Sequence, residues 1–525
     1  MAATTSAVEG RDAHPSTVAA DGGNVSRTAG LWAIWTVSLL SIGAYVATAV
    51  QRIGYPYELQ FFEGSTVEVS ARVTEGLPLY GPPSTAWTPW PYPPLYFWIT
   101  GQVGRITGIN LPTLRSVSFA ASLVALLLLV LIVRRTTSSA TAGIVAAGLF
   151  AGTYRVTGAW FDAARVDSLL VMLLLLALYV AQRSHRARGG LLVGVVLVLA
   201  FLTKQNALIV AVPILAWLLV RRRPAGVAAA VVVVAGSVGS VLVGDAVTGG
   251  CYSPYVVSQL LGHGVVARWL LEFWLVDVAL PFALVLLAVT WWGWSTFGVR
   301  GRDVTPTVLR RWSGSDAGLV GAAVVGLLMA GLAGRLHDGG YVNVAIPAHV
   351  AVSLLLGLVA GAALRDRRTT RRLLIGVAVV VGAQVIVMSQ WHTDVVPSAA
   401  DRAGGDAFIS ELRRLPGTVL VPSHPFYLRL AGRAPHASGI AIGDLMATRP
   451  NPAREAMAAA LPWSLDGVGA VVLDAPADTA LFGPTLERDF TLVTSNVVPG
   501  DSFVPPTDVE TKPSLLYIRT TELPR

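Results

Sequence analysis

The chain has 525 residues, of which 54% are hydrophobic and only 13% charged, whereas about a quarter of the residues in a soluble domain are charged. That balance excludes an ordinary soluble protein, and apolar runs that are continuous instead of alternating exclude an outer-membrane barrel. The formal charge of +8 is carried by arginines gathered at helix ends, so no nucleic-acid role follows from it.

Taken in order, residues 1–30 are small and polar without apolar periodicity, which predicts a disordered cytoplasmic tail. LWAIWTVSLLSIGAYVATAV, 31–50, is long enough to cross a ~30 Å hydrocarbon core, and its extended preceding tail marks an uncleaved anchor instead of a signal peptide. Residues 51–108 then form a long loop, dense in acids, prolines and aromatics, with LYFWITGQVGRI as an interfacial helix. Ten further spans are predicted at about 111–133, 140–161, 166–182, 190–203, 206–220, 225–246, 271–294, 317–334, 343–364 and 373–391. With the N-terminus inside, the basic clusters Arg134-Arg135, Arg183–Arg188, Arg221–Arg223, Arg300–Arg311 and Arg365–Arg372 all fall on the cytoplasmic side. The expected fold is therefore an all-α polytopic membrane domain of about eleven spans over 31–391. Residues 392–525 change character: FISELRRL reads as an amphipathic helix, and TVLVPSH, GAVVLDA, FTLVTSN and SLLYIRT as strands of a small extracytoplasmic α/β domain.

The charged residues of the outer connections are the candidates for chemistry. The first loop supplies Glu58, Glu63, Glu68, Arg72 and Glu75, with the aromatics Trp87, Trp90, Tyr92, Tyr96 and Trp98. The second supplies Asp162, Arg165 and Asp167, the third Lys204 and Gln205, and the last Arg335, His337, Asp338, Tyr341 and Asn343. Ionisable groups near hydrocarbon are costly and usually face an internal cavity. Each also has a structural reading: Glu68 and Arg72 at helical spacing make a surface pair, Asp162 or Asp167 caps a helix, Lys204 snorkels to the headgroups, His337 is a loop residue, and the aromatics form an interfacial belt. The chain has no HxxxH, DxD, GxGxxG or Walker motif and one cysteine, Cys251. No nucleotide donor, disulfide or Cys-cluster metal site is expected, and no cofactor, although a divalent cation stays open.

The first loop resembles that of the polyprenyl-phosphate-sugar-dependent GT-C glycosyltransferases, near the protein O-mannosyltransferases and the lipid A aminoarabinose transferases. The resemblance lies in Glu63 after the first span, Arg72, Gly76, Leu79-Tyr80 and Tyr92-Pro93-Pro94-Leu95-Tyr96-Phe97-Trp98. It continues in AARVDSLLVMLLLLALYV, FLTKQNALIVAVPILAWLL and GGYVNVAIPAHVAVSLLLGL. Relatives mostly carry Asp at the place of Glu63 and often Lys at that of Tyr92. The resemblance implies a GT-C fold, a lipid-phosphate-linked sugar donor, and a glycan, lipid or protein acceptor on the extracytoplasmic face of a bacterial plasma membrane. It also puts Glu63 at the first-loop catalytic carboxylate and Asp167 at the acid of the second outer loop, with Asp162 beside it.

The expected reaction is an inverting transfer with Glu63 as general base. Arg72, Arg165 and Lys204 are the candidate phosphate contacts, and Trp90, Tyr92, His337 and Tyr341 further substrate contacts. The rival reading is a transporter or flippase of lipid-linked saccharides; the apolar character of the central spans argues against a polar path through them.

Overall fold

The computed structural model describes residues 18–293, 315–365, 371–391, 394–507 and 511–523. The basic cluster Arg300–Arg311 and, of the cluster Arg365–Arg372, Arg367 and Arg368 lie outside the described residues, as does the tail before Val18.

The first helix, α1, runs Val18–Ile53. The stretch 18–30, expected to be disordered, is therefore helical: no proline interrupts it, and a helix nucleated by the apolar segment extends at the cost of one residue per hydrogen bond gained. The first loop holds α2 (Glu63–Glu75) and α3 (Leu95–Thr107). The next helix, α4 (Leu111–Thr137), is capped by Asn110, whose side chain accepts from Thr113 N at 2.9 Å. Ser139 caps α5 (Ala140–Gly152) in the same way.

Here a second expectation is corrected. The span predicted to reach 161 stops at Gly152. Thr153 and Thr157 turn their hydroxyls back on the carbonyls of Phe150 and Thr153, and Gly158 and Ala159 then take left-handed φ of 67° and 59°. The chain leaves the helix and lays 159–166 across the bundle, buried throughout.

The remaining membrane helices follow the predicted positions: α6 (Asp167–Arg183), α7 (Ala187–Phe201), α8 (Ala207–Arg221) and α9 (Arg223–Thr248), then α10 (Trp269–Trp291) and α11 (Asp316–Leu336), α12 (Ile346–Arg365) and α13 (Arg371–Ser389). Six helices among the described residues are long and apolar enough to span a bilayer, and the shorter apolar ones lie between them. Close backbone approach is what packs them: a Cβ on Gly190 of α7 would sit 2.1 Å from the Ala225 carbonyl oxygen of α9, so only glycine fits there.

The C-terminal domain begins with α14 (Ala399–Arg414), closed by a Ser398/Asp401 capping box. Its four strands, β1 (Thr418–Leu420), β2 (Val468–Leu473), β3 (Phe490–Thr494) and β4 (Leu515–Arg519), form one sheet in the order β1-β2-β4-β3. The β1/β2 pair is parallel and the other two are antiparallel.

This domain is built into the first loop. Tyr55, Tyr57, Leu59 and Val67 share one buried core with Phe408, Leu412, Val419 and Tyr427. Arg429 holds Glu68 through two bonds of 2.8 Å and Glu75 through a third. Tyr57 donates to Asp406, and Ser65 meets Ser438 at 3.0 Å. Deepest of all, the His424 imidazole bridges Glu58 of the loop and Asp474 of the domain, the latter at 3.0 Å.

Burial alone would depress the His424 imidazolium, but Asp474 and Glu58 overcome it and hold it well above the ordinary histidine value. Burial raises Glu58. Groups raised by folding bind protons more tightly in the folded state. For His424 the contribution is fully present below its unfolded value of about 6.5 and is lost as pH rises through the folded one. Thermal unfolding of the wild type is therefore expected to shift downward as pH rises above neutrality, and His424→Gln to flatten that dependence. Parallel profiles for the two proteins would remove the histidine from this role.

Candidate active site

A buried ion pair fixes the frame of the site. Glu63, the first residue of α2, is wholly buried. Its Oε1 accepts from Arg115 Nε at 2.9 Å and Ala164 N at 2.7 Å, and its Oε2 from Leu59 N at 2.7 Å and from Arg115 Nη2. Arg115, from α4, spends its remaining donors on the carbonyls of Tyr55 and Tyr57. Burial pushes the Glu63 carboxyl up, yet Arg115 and the two amides take it below its usual value. Four donors saturate the carboxylate. Glu63, expected to be the base, is in this structure a saturated member of the frame.

A few residues away lies a different cluster. Phe61 and Phe62, Trp90 and Tyr341 pack edge to face, with Phe62–Trp90 at 4.8 Å and Phe61–Tyr341 at 5.5 Å between ring centres. Against them lies Arg165, 5% exposed. Its guanidinium carbon is 4.7 Å from the Phe62 ring centre, 5.3 Å from Trp160 and 5.5 Å from Tyr92. One of its donors reaches Tyr92 Oη at 3.1 Å, its buried Nε has no partner, and it makes no ion pair among the described residues. Beside it Lys204 Nζ bonds Asp167 Oδ1 at 2.8 Å and lies 5.8 Å from the Tyr92 ring centre. Asn343 Nδ2 holds the other Asp167 oxygen at 3.2 Å. Burial would lower the Lys204 ammonium, but Asp167 more than offsets it and keeps it charged. Six of the predicted residues, Trp90, Tyr92, Arg165, Asp167, Lys204 and Tyr341, thus meet around one spot.

Next to Lys204, Gln205 ties the Pro91 and Val256 carbonyls together at 2.6 and 2.7 Å. It also lines a groove of about 370 Å³ with Phe201, Leu208, Val241, Val256 and Leu260, almost wholly apolar and open to the side of the bundle. Gln205 is thus the link between the cationic aromatic cluster and this apolar groove.

The other predicted residues lie elsewhere. Asp162 is buried against Arg52 at 3.4 Å and takes the Tyr154 hydroxyl at 2.7 Å, which makes it part of the frame. Arg72 is partly exposed, stacks on Trp87 at 4.1 Å and donates to the Pro78 carbonyl. His337 stacks on His263 at 4.2 Å, and His263 in turn pairs with Asp444 of the C-terminal domain; burial and the neighbouring His263 lower the His337 value. Among the described residues no three His, Cys, Asp or Glu side chains gather as a cation cage. Sequence reasoning missed Arg52 and Arg115, the Phe61-Phe62 pair and Trp160. Arg115 carried one signal, an arginine inside an apolar helix, where an unpaired charge is not tolerated.

Comparison with known proteins bears on this geometry. Residues 91–243 match the sequence model of the family described as dolichyl-phosphate-mannose-protein mannosyltransferase. No curated protein matches the chain significantly. Among solved structures, ArnT from Cupriavidus metallidurans bound to undecaprenyl phosphate superposes with a TM-score of 0.55 at 13% identity, covering 93% of this chain and 99% of that one. Its apo form gives 0.53 at 14% identity, covering 95% and 98%. The oligosaccharyltransferase AglB from Archaeoglobus fulgidus, in complex with an inhibitory peptide and a dolichol-phosphate, gives 0.48 at 12%, covering 94% and 75%. The chain shares the ArnT fold along almost its whole length, so the expected GT-C-like architecture is the one found.

Removing one partner of a buried pair typically costs ~3–5 kcal/mol because the other charge is left stranded. Glu63→Gln is accordingly expected to destabilise the protein by about that amount, with the Glu63→Gln/Arg115→Met double variant recovering part of the loss. Denaturation midpoints of the three proteins measure this, and an unchanged single variant contradicts the framing role.

Proposed function

We propose that the protein is a membrane glycosyltransferase that moves a sugar from a polyprenyl-phosphate-linked donor to an acceptor hydroxyl. The observation that carries the reading is Arg165, a buried guanidinium with an unpartnered Nε and no carboxylate of its own, set beside Lys204, whose chain neighbour Gln205 lines an apolar groove. A cation left unpaired in a poorly hydrated site is costly unless an anion arrives. A lipid phosphate supplies the anion for the pocket and the hydrocarbon for the groove. The family match over 91–243 and the undecaprenyl phosphate named in the ArnT complex support the same donor class.

In the proposed reaction the acceptor oxygen attacks the anomeric carbon from the face opposite the phosphate. The bond from that carbon to the phosphate oxygen breaks with its electron pair, and the configuration inverts. The leaving group changes from a phosphodiester to a phosphate monoester and gains one negative charge, which Arg165 and Lys204 stabilise. Asp167 takes the hydroxyl proton. It replaces Glu63 in this role because it faces the cationic cluster and has only Lys204 and Asn343 as partners. Phe62, Trp90 and Tyr341 offer ring faces for a sugar. The arginine clusters on the opposite connections support placing the reaction on the extracytoplasmic face.

Purified protein incubated with labelled polyprenyl-phosphate sugars is expected to release polyprenyl phosphate and yield a glycosylated acceptor. Asp167→Asn is expected to lower turnover roughly 10²–10⁴-fold and, because it strands the buried Lys204, to lower the unfolding midpoint; the Asp167→Asn/Lys204→Met double variant is expected to regain stability but not turnover, and Arg165→Met to weaken donor retention. Intact donor carried across a vesicle without cleavage overturns the enzyme reading. A Glu63→Gln protein that is fully stable yet inactive returns the base to Glu63.

A further inference from the structure

Arg335 is one of the charged residues between α11 and α12, and the reaction proposed above gives it nothing to do. It lies in the last turn of α11 (Asp316–Leu336). Its Nε donates to Asp277 Oδ2 of α10 at 2.8 Å, and its Nη1 to the Gly340 carbonyl at 2.9 Å. Its Nη2 lies 3.8 Å from Glu272, and its guanidinium carbon 5.0 Å from the Trp269 ring centre. Asp277 is held in turn through its own carbonyl, which accepts from His349 Nε2 of α12 at 2.6 Å. Arg335 is therefore a strut based on α10 and α12, and its other end grips the chain at Gly340.

That grip falls one residue before the site. Gly339 takes a φ of 86°, and a Cβ on Gly340 would meet the Gly334 carbonyl oxygen at 2.2 Å, so the chain closes back on the last turn of α11. It continues as a 3-10 turn, Val342–Ala345. Tyr341 brings its ring to 5.5 Å from Phe61 and 6.2 Å from Phe62. Asn343, 4% exposed, gives its Nδ2 to Asp167 Oδ2 at 3.2 Å. One short stretch thus supplies a ring of the aromatic cluster and the second partner of the Asp167 carboxylate. A carboxylate held by Lys204 alone is free to turn about its Cβ–Cγ bond; held at both oxygens, its plane is fixed. A general base needs that alignment to reach the proton it takes.

We infer that Arg335 is a positioning residue for Asp167: it fixes the Gly340 carbonyl, and with it the Asn343 amide that sets the plane of the Asp167 carboxylate. It acts through the turn and touches neither the donor nor the acceptor. The inference rests on the reading of Asp167 as the base.

The test uses the purified full chain with a labelled polyprenyl-phosphate sugar, and reads kcat and the donor KM separately at a temperature below every unfolding midpoint. Arg335→Met is paired with Asp277→Asn, so that neither charge is left stranded, and Asn343→Leu removes the amide. The paired variant is expected to lower kcat roughly 10-fold and Asn343→Leu roughly 10²-fold, both with an unchanged donor KM. The three substitutions together are expected to lower kcat no further than Asn343→Leu alone, because both changes act through one contact. A strut that only holds helices together would lower the unfolding midpoint and leave kcat at the wild-type value; that result overturns the inference, as do losses that multiply in the combined variant. Asp167→Asn, measured alongside, separates the two readings. Wild-type turnover in that variant retires the base, and the role of Arg335 with it. Lost turnover there, with wild-type kcat in the paired variant, overturns the role of Arg335 alone.

Discussion

The ion pair between Arg115 and Glu63 is the point from which the outer half of the molecule is hung. It lies where water does not reach, so neither charge is tolerable without the other. Between them the two side chains bind four backbone groups, at Tyr55, Tyr57, Leu59 and Ala164, and so draw together the end of α1, the start of α2, the side of α4 and the second loop. Phe61 and Phe62 lie between Leu59 and Glu63, and Arg165 is the residue after Ala164. The pair therefore sets the distance between the aromatic floor of the site and its unpaired cation, although it touches no substrate position itself.

The C-terminal domain adds a second constraint on the same short stretch. Glu58 is fixed from outside by His424, and Glu63 from inside by Arg115. The segment 58–63 is thus clamped at both ends, which suits a surface that must keep a reacting geometry without help from a long regular element. A wholly apolar interface would hold the domain as well, but it would not specify rotation about the contact as the directional His424 and Arg429 bonds do.

Much of this was legible in the chain, and the reasons for success and failure differ. The spans were readable because hydrocarbon imposes length and composition on each helix separately, and the four strands because short apolar runs rich in β-branched residues are a local signal. Arg165, Asp167 and Lys204 stood out because charge beside apolar runs is rare. Partnership was not legible. Glu63 and Asp167 are both acids beside an apolar helix, and only the fold shows that one is sealed by an arginine 52 positions away while the other is held by Lys204 and Asn343 beside Arg165. Arg72 looked like a phosphate contact, yet its neighbour in space is Trp87, across a turn whose path composition does not encode. The early end of α5 depended on threonine hydroxyls turning back on their own helix, a choice that hydropathy does not register.

The clamp on Glu58 also has a consequence in time. Its partner His424 lies 366 positions later in the chain, and at synthesis rates of about 5–20 residues per second roughly 20–70 s separate the two. During that interval the first loop is exposed with Tyr55, Tyr57 and Leu59 uncovered, on the far side of the first span, while the remaining helices are still entering the membrane. Contacts so distant in sequence are slow to form and leave apolar surface open to wrong partners. The acids at Glu58, Glu68 and Glu75 then have an earlier use: before they bind His424 and Arg429, their hydration keeps the waiting loop soluble.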